Sequence, residues 1–284
     1  MIADRHDNVR GQAHEEIRTT TVIGAPHPRL RSMVRAYGGH PVTATPRGNF
    51  VLPAAAVVQL VFKLVDSRSR PPEFLIGSRP SRIPIDGTCA PSYIELSVDP
   101  LAAYTLLDTP GIEFRGQLVD LGEVVGSRAH DLAERIRDQA TWRGRFDLLD
   151  AFFLDRMVTG RRPSPEVSRA WTLLRKTGGT MPIGRIVEEV GWSHKHLIAK
   201  FTQQIGVTPK TAARLLRFER ARRHVDEQPH AGLRDIAAAC GYADQSHLNR
   251  EFRQFTDTTP AEYLRRMTAR APERGGSRSS DAAE

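Results

Sequence analysis

Cysteine is nearly missing from this chain: its 284 residues include two, Cys89 and Cys240. They suit neither a zinc site nor a disulfide framework, so a reducing, cytoplasmic setting is expected. Long apolar runs are missing too. No stretch approaches the roughly 18 residues that a membrane span needs. The opening MIADRHDNVRGQAHEE is polar and charged, unlike a secretory signal. No glycine-rich loop follows a strand as phosphate cradles require, and no Ser/His/Asp or Cys/His spacing marks a nucleophile. His27, His40 and His130 are scattered and read as surface or loop residues, so no metal, no cofactor and no enzymatic activity are expected. Acidic charge is scarce where basic charge gathers. The net charge is +8, and between Glu166 and Arg270 there are 18 Lys/Arg against 11 Asp/Glu, which leaves the longer N-terminal part near neutral. A basic excess confined to one region fits a phosphate-bearing partner.

What is present is a pattern written twice. PIGRIVEEVGWSHKHLIAKFTQQIGVTP, from Pro182, is echoed by GLRDIAAACGYADQSHLNREFRQFTDTTP, from Gly232. Ile183, Ile186, Val187 and Val190 fall at i, i+3, i+4 and i+7, on one face of a helix. Leu233, Ile236, Ala237 and Cys240 repeat that face. Gly191 or Gly241 then supplies the left-handed position past a helix end, and an aromatic follows (Trp192, Tyr242). Ser193 or Asp244 starts a second short helix, which carries Leu197 and Phe201, or Leu248 and Phe252, at i and i+4. Each copy closes on Thr-Pro, a helix-start signal. Two short helices joined by a glycine turn form a helix-turn-helix. Its apolar positions glue the second helix to the first, so the polar positions between them face outward, where they can enter a DNA major groove.

The rest of the chain reads as a different kind of domain. After Pro26 and Pro28, a short amphipathic helix through Leu30, Met33, Val34 and Tyr37 is expected, stopped by Gly38-Gly39. VVQLVFKLV, EFLIGSRP and SYIELSV read as strands, with turn residues between the last two. Helices follow at LAAYTLLD, from Ser127, and at FDLLDAFFLDRMV, where Asp147, Asp150 and Asp155 read as a solvated face. Cys89 and Cys240 read as buried thiols. The resulting division is a flexible 1–21, an α+β sensor-type domain at 22–158, a linker at 159–166, an all-α domain of two helix-turn-helix units at 167–267, and a disordered tail at 268–284. A helix through Val167, Ala170, Trp171 and Leu174 braces the first unit. A long helix from Lys210 to Glu227 joins the two, with Ala212, Leu215, Leu216 and Ala221 as its apolar stripe.

Tandem helix-turn-helix units bridged by a long helix, with the run IAAACGYADQSHLNREFRQFTDTTPAEYLR in the second, resemble the DNA-binding domain of AraC/XylS-type bacterial transcription regulators. The resemblance covers Glu166 to Arg266. It implies double-stranded promoter DNA as partner and two recognition helices in successive major-groove segments. It also implies contact with RNA polymerase if the protein is an activator, and leaves a small-molecule effector and a homodimer open. The N-terminal region is similar only in layout to the sensor halves of such regulators.

With Leu197 and Phe201 inward, His194, Lys195, Ile198, Ala199 and Lys200 lie toward the groove. With Leu248, Phe252 and Phe255 inward, Gln245, Ser246, His247, Asn249, Arg250 and Arg253 are available. Arg250 occupies a position that commonly reaches bases in that family, and arginine can grip guanine through two hydrogen bonds. Contact to phosphate alone, or pairing with a carboxylate, is the other reading of Arg250. Asn249 reads adenine or stays solvated. Ile198 and Ala199 depart from the family's polar pattern and leave thymine methyls as the apolar target, with Lys195 and Lys200 on phosphate. Thr208 and Thr259 are either phosphate anchors or plain helix caps. Two other functions compete: a DNA-targeted alkyl-transfer enzyme, which needs an activated cysteine, and an architectural DNA-binding protein.

Overall fold

The computed structural model describes residues 21–41, 50–65, 70–85 and 92–270. The expectations placed on the N-terminus, Cys89 and the tail beyond Arg270 lie outside these residues. Among them, the first half holds eight strands: β1 (Val22–Gly24), β2 (Val34–His40), β3 (Phe50–Leu52), β4 (Val58–Lys63), β5 (Glu73–Ile76), β6 (Ile83–Ile85), β7 (Tyr93–Val98) and β8 (Leu118–Asp120). Six form one antiparallel sheet in the order β1-β2-β7-β4-β5-β8, and β3 pairs with β6. The alternation of side chains across a strand decides what the large sheet buries. Val58, Leu60 and Phe62 of β4 and Ile94, Leu96 and Val98 of β7 all face the core. The opposite face carries Gln59, His40 and Glu95, joined by hydrogen bonds of 2.9 and 3.2 Å to the Glu95 carboxylate.

Four helices close the buried face: α1 (Pro100–Leu106), α2 (Leu121–Val125), α3 (Ser127–Asp138) and α4 (Trp142–Thr159). Their Ala103, Leu106, Leu132, Ile136, Phe146, Leu149 and Phe153 share one core with the sheet. The α+β expectation holds, with one element corrected. Leu30 to Tyr37 is not a helix. It is a 3₁₀ turn at Pro28–Leu30 followed by β2. The spacing of Leu30, Met33, Val34 and Tyr37 mimics a helix, but Gly38-Gly39 continue the strand rather than stop a helix. A side chain at Gly39 would strike Trp142, so the glycine is a close-packing site.

Two polar expectations also change. Asp150 is not a solvated residue: it accepts the Tyr37 hydroxyl at 2.8 Å and the His27 amide at 2.8 Å. His40 lies in β2, stacked on Tyr93. His130 is exposed on α3, as a surface histidine was expected to be, beside Glu73, which also takes Arg137 at 2.6 Å.

The second half is helical: α5 (Pro165–Lys176), α6 (Ile183–Val190), α7 (His194–Ile205), α8 (Pro209–Glu227), α9 (Leu233–Ala239), α10 (Gln245–Thr256) and α11 (Pro260–Arg270). The stripe of α8 runs through Ala212, Ala213, Leu215, Phe218, Ala221 and Val225, whereas Leu216 is only partly buried. Phe218 is its anchor, edge-on to both Phe252 and Phe255 at 5.2 and 5.1 Å.

The linker does not leave the halves independent. Ala54 and Ala56 of the first half are buried in the core of the second. The Ala54 amide donates to the Phe255 carbonyl at 3.0 Å. Gly111 lies so close to the backbone of Gln204 and Ile205 that no β-carbon fits there. Asp99 is the polar node. It caps α1 by accepting the Leu101 and Ala102 amides, and it accepts the Trp171 indole N–H at 3.0 Å and Arg175 at 2.8 Å. Burial pushes its carboxyl above the usual range, with Arg175 pulling the other way. Asp99→Ala removes a cap and strands a buried indole N–H, so a loss of about 2 kcal/mol is expected in denaturant titration. Asp99→Asn, which keeps the acceptor, loses less.

Candidate nucleic-acid interface

Both units fold as the repeat dictates. Gly191 and Gly241 have φ of 70° and 75°, so each turn uses the left-handed conformation open to glycine. Ser193 accepts the His196 amide at 3.2 Å, and Asp244 accepts the His247 amide at 2.7 Å. The aromatic after each glycine then meets the histidine three residues past the cap: Trp192 on His196 at 4.5 Å, Tyr242 on His247 at 5.2 Å. Leu197 and Phe201 in α7, and Leu248, Phe252 and Phe255 in α10, are fully buried. Trp171 of the bracing helix α5 packs against Phe201.

Those seams push one ridge of each helix into solvent. On α7, His194, Lys195, Ile198, Ala199 and Lys200 are all exposed. On α10, Gln245, Ser246, Arg250 and Arg253 are exposed, while His247 and Asn249 are half-buried. The Asn249 amide oxygen is buried without a hydrogen-bond partner. Counted from the caps, Arg250 stands where α7 has Ala199, and Asn249 where it has Ile198. The two ridges therefore differ in chemistry at equivalent places: α10 offers a guanidinium and an amide, α7 a methyl and an aliphatic chain.

The Thr-Pro positions behave as caps. The Thr208 hydroxyl accepts the Thr211 amide at 3.2 Å. Thr259 and Glu262 form a reciprocal capping box: the Thr259 amide donates to the Glu262 carboxylate at 2.8 Å, and the Glu262 amide to the Thr259 hydroxyl at 3.2 Å. Both Thr259 groups are thus committed within the chain. These bonds hold the Glu262 carboxyl below its ordinary 4.5. The cap is accordingly intact above that ordinary value and is released as pH falls through the lower folded one.

The residues that hold α10 were not legible in the repeat. Arg214 of α8 donates to the buried Glu251 carboxylate at 2.6 Å and to the Gln254 side-chain oxygen at 2.7 Å, with its guanidinium over the Phe255 ring. Burial and the neighbouring Glu251 charge hold the Tyr242 hydroxyl protonated. Cys240 is buried, and burial pushes its thiol up, the opposite of a reactive thiolate. No group of His, Cys, Asp and Glu among the described residues could hold a metal ion. No helix among them is long and apolar enough to cross a membrane.

A helix-turn-helix domain model matches residues 186–266. The uncharacterized HTH-type transcriptional regulator YbfI of Bacillus subtilis is 33% identical over 89 residues, which are 30% of this chain and 31% of YbfI. The HTH-type transcriptional regulator Rv1931c of Mycobacterium tuberculosis is 28% identical over 88 residues, covering 31% of this chain and 34% of Rv1931c. The match thus spans about a third of the length of either relative. A solved transcriptional regulator with an AraC-type DNA-binding domain, from Chromobacterium violaceum, covers 39% of this chain and 96% of its own, with 27% identity and a TM-score of 0.34. The paired units, their glycine turns and the matching domain model together identify residues 186–266 as a helix-turn-helix domain like that of HTH-type transcriptional regulators.

Proposed function

We propose that this chain is a sequence-specific, DNA-binding transcription regulator of the AraC/XylS type that works in the cytoplasm. The observation that carries this reading is the pair of in-register units, each presenting a solvent-facing ridge that the N-terminal half leaves uncovered. The α10 ridge reads bases through Arg250 and Asn249. The α7 ridge contacts thymine methyls through Ile198 and Ala199 and phosphate through Lys195 and Lys200. The N-terminal half, tied to both reading helices, binds a small molecule or a second subunit and biases their presentation. Contact with RNA polymerase and formation of a homodimer belong to the same proposal.

The test is selection of bound fragments from random DNA, followed by footprinting at moderate salt. Protection of about 20 base pairs on one face is expected, since two reading helices occupy adjacent major-groove turns. Equal affinity for selected and random DNA would sink the proposal. The competing alkyl-transfer activity needs an exposed, activated thiol, which Cys240 is not. Blocking accessible thiols is expected to leave DNA binding unchanged.

A further inference from the structure

We infer that the N-terminal half adds its own phosphate contact to the DNA surface, through Arg82. This rests on the regulator reading above. Arg82 belongs to the short segment between β5 and β6, outside the helix-turn-helix domain. It nevertheless lines one groove of about 540 Å³ with Asn249, Arg250, Arg253 and Asp257. Three guanidinium groups face this space against one carboxylate. The Arg250 and Arg253 side chains make no hydrogen bond or salt bridge among the described residues, and only the Glu262 carboxylate offsets Arg253 from a distance, so the groove keeps an excess of positive charge beside the Arg82–Asp257 pair. A groove built this way is stabilised by an anion with many oxygens, and the strand flanking the α10 ridge brings its phosphates there.

Arg82 is carried on a base fixed to α10. Ala55 and Arg79 exchange two backbone hydrogen bonds of 3.0 and 2.9 Å, and Arg79 donates to the Pro53 carbonyl at 3.1 Å. Next to these, the Ala54 amide holds the Phe255 carbonyl of α10. Any motion of α10 therefore carries Arg82 with it. Its present partner is Asp257 at 2.8 Å, with a longer bond to the Gln254 carbonyl at 3.4 Å. The Asp257 side chain is 57% exposed. Exposed pairs of this kind hold weakly, so exchanging Asp257 for a phosphate is a small step. Asp257 thus parks Arg82 at the edge of the groove until DNA arrives.

The test uses the full chain and a DNA fragment selected by it, with affinity measured by fluorescence anisotropy across a salt series. Arg82→Ala is expected to weaken binding roughly three- to tenfold on every sequence and to lower the salt slope by about 0.9, the value of one phosphate contact. Arg82→Lys keeps the slope. Asp257→Asn, which suits the left-handed φ of 71° at that residue, frees Arg82 and strengthens binding. If Arg82 only ties the two halves together, Arg82→Ala and Asp257→Asn weaken binding alike, and the inference is overturned. An unchanged slope in Arg82→Ala overturns it too. Should the alanine variant lose its fold, Arg82→Gln and Asp257→Asn carry the same opposite-sign test. A parent chain that selects no DNA sinks the regulator reading and this inference together. A parent that selects DNA as well as Arg82→Ala does sinks this inference alone.

Discussion

Replacing Arg250 by alanine flattens base preference at a single position of the bound site, by about 1–3 kcal/mol, a factor of roughly five to 150. The reason is geometric. Arg250 is exposed on α10, free of any protein partner among the described residues, and its chain position faces away from the Leu248–Phe252 seam. A guanidinium so placed can present two parallel N–H groups to one guanine, and alanine can present none. Lys195→Ala behaves differently. It weakens all sequences by a similar factor and lowers the salt slope by about 0.9, because an ammonium on phosphate carries no base information. Selection of bound fragments by each variant, at two salt concentrations, separates the two effects. Matching profiles from Arg250→Ala and Lys195→Ala would show that both side chains serve the phosphates alone.

Arg214→Met unfolds the second unit more readily, by about 3 kcal/mol in denaturant titration, although Arg214 lies on no reading helix. Its guanidinium is the main counter-charge to Glu251, whose side chain is 6% exposed. Removing it leaves a carboxylate in the core and frees the Gln254 side chain. Replacing both partners together, Arg214→Met with Glu251→Leu, is expected to recover much of the loss, since apolar groups of similar size tolerate the site better than one stranded charge. If the double variant is no more stable than the single one, the cost comes from the packing of Arg214 over Phe255 rather than from charge.

The helical half was legible because its signals are local. A glycine after a periodic face, a capping residue two or three positions later and Leu/Phe at i and i+4 each lie within one turn of what they control. Those rules place Gly191, Ser193, Leu197 and Phe201, and their counterparts, where the structure has them. The Leu30–Tyr37 segment misled because four apolar residues satisfy a helical period, whereas pairing with β7, some 60 residues away, makes it a strand. Asp150 misled in the same way. Its partner Tyr37 is 113 residues distant. Arg82 and Arg214 are the extreme cases: no period in the chain points from Arg82 to Asp257, or from a basic helix face to a carboxylate 37 residues on. Charge counts foresaw a basic region but not which arginines it leaves unpaired.

Gly111 sits on the far end of α7, and Ala54 holds the far end of α10. The strand-rich half thus grips both heads by their tails. On the proposed DNA-reading role it would work as a caliper: the gap between two DNA half-elements would be set by the β-sheet half as well as by α8. Adding one base pair between the half-elements would then be opposed from behind, as lost packing at Gly111 or Ala54, before any base contact is broken.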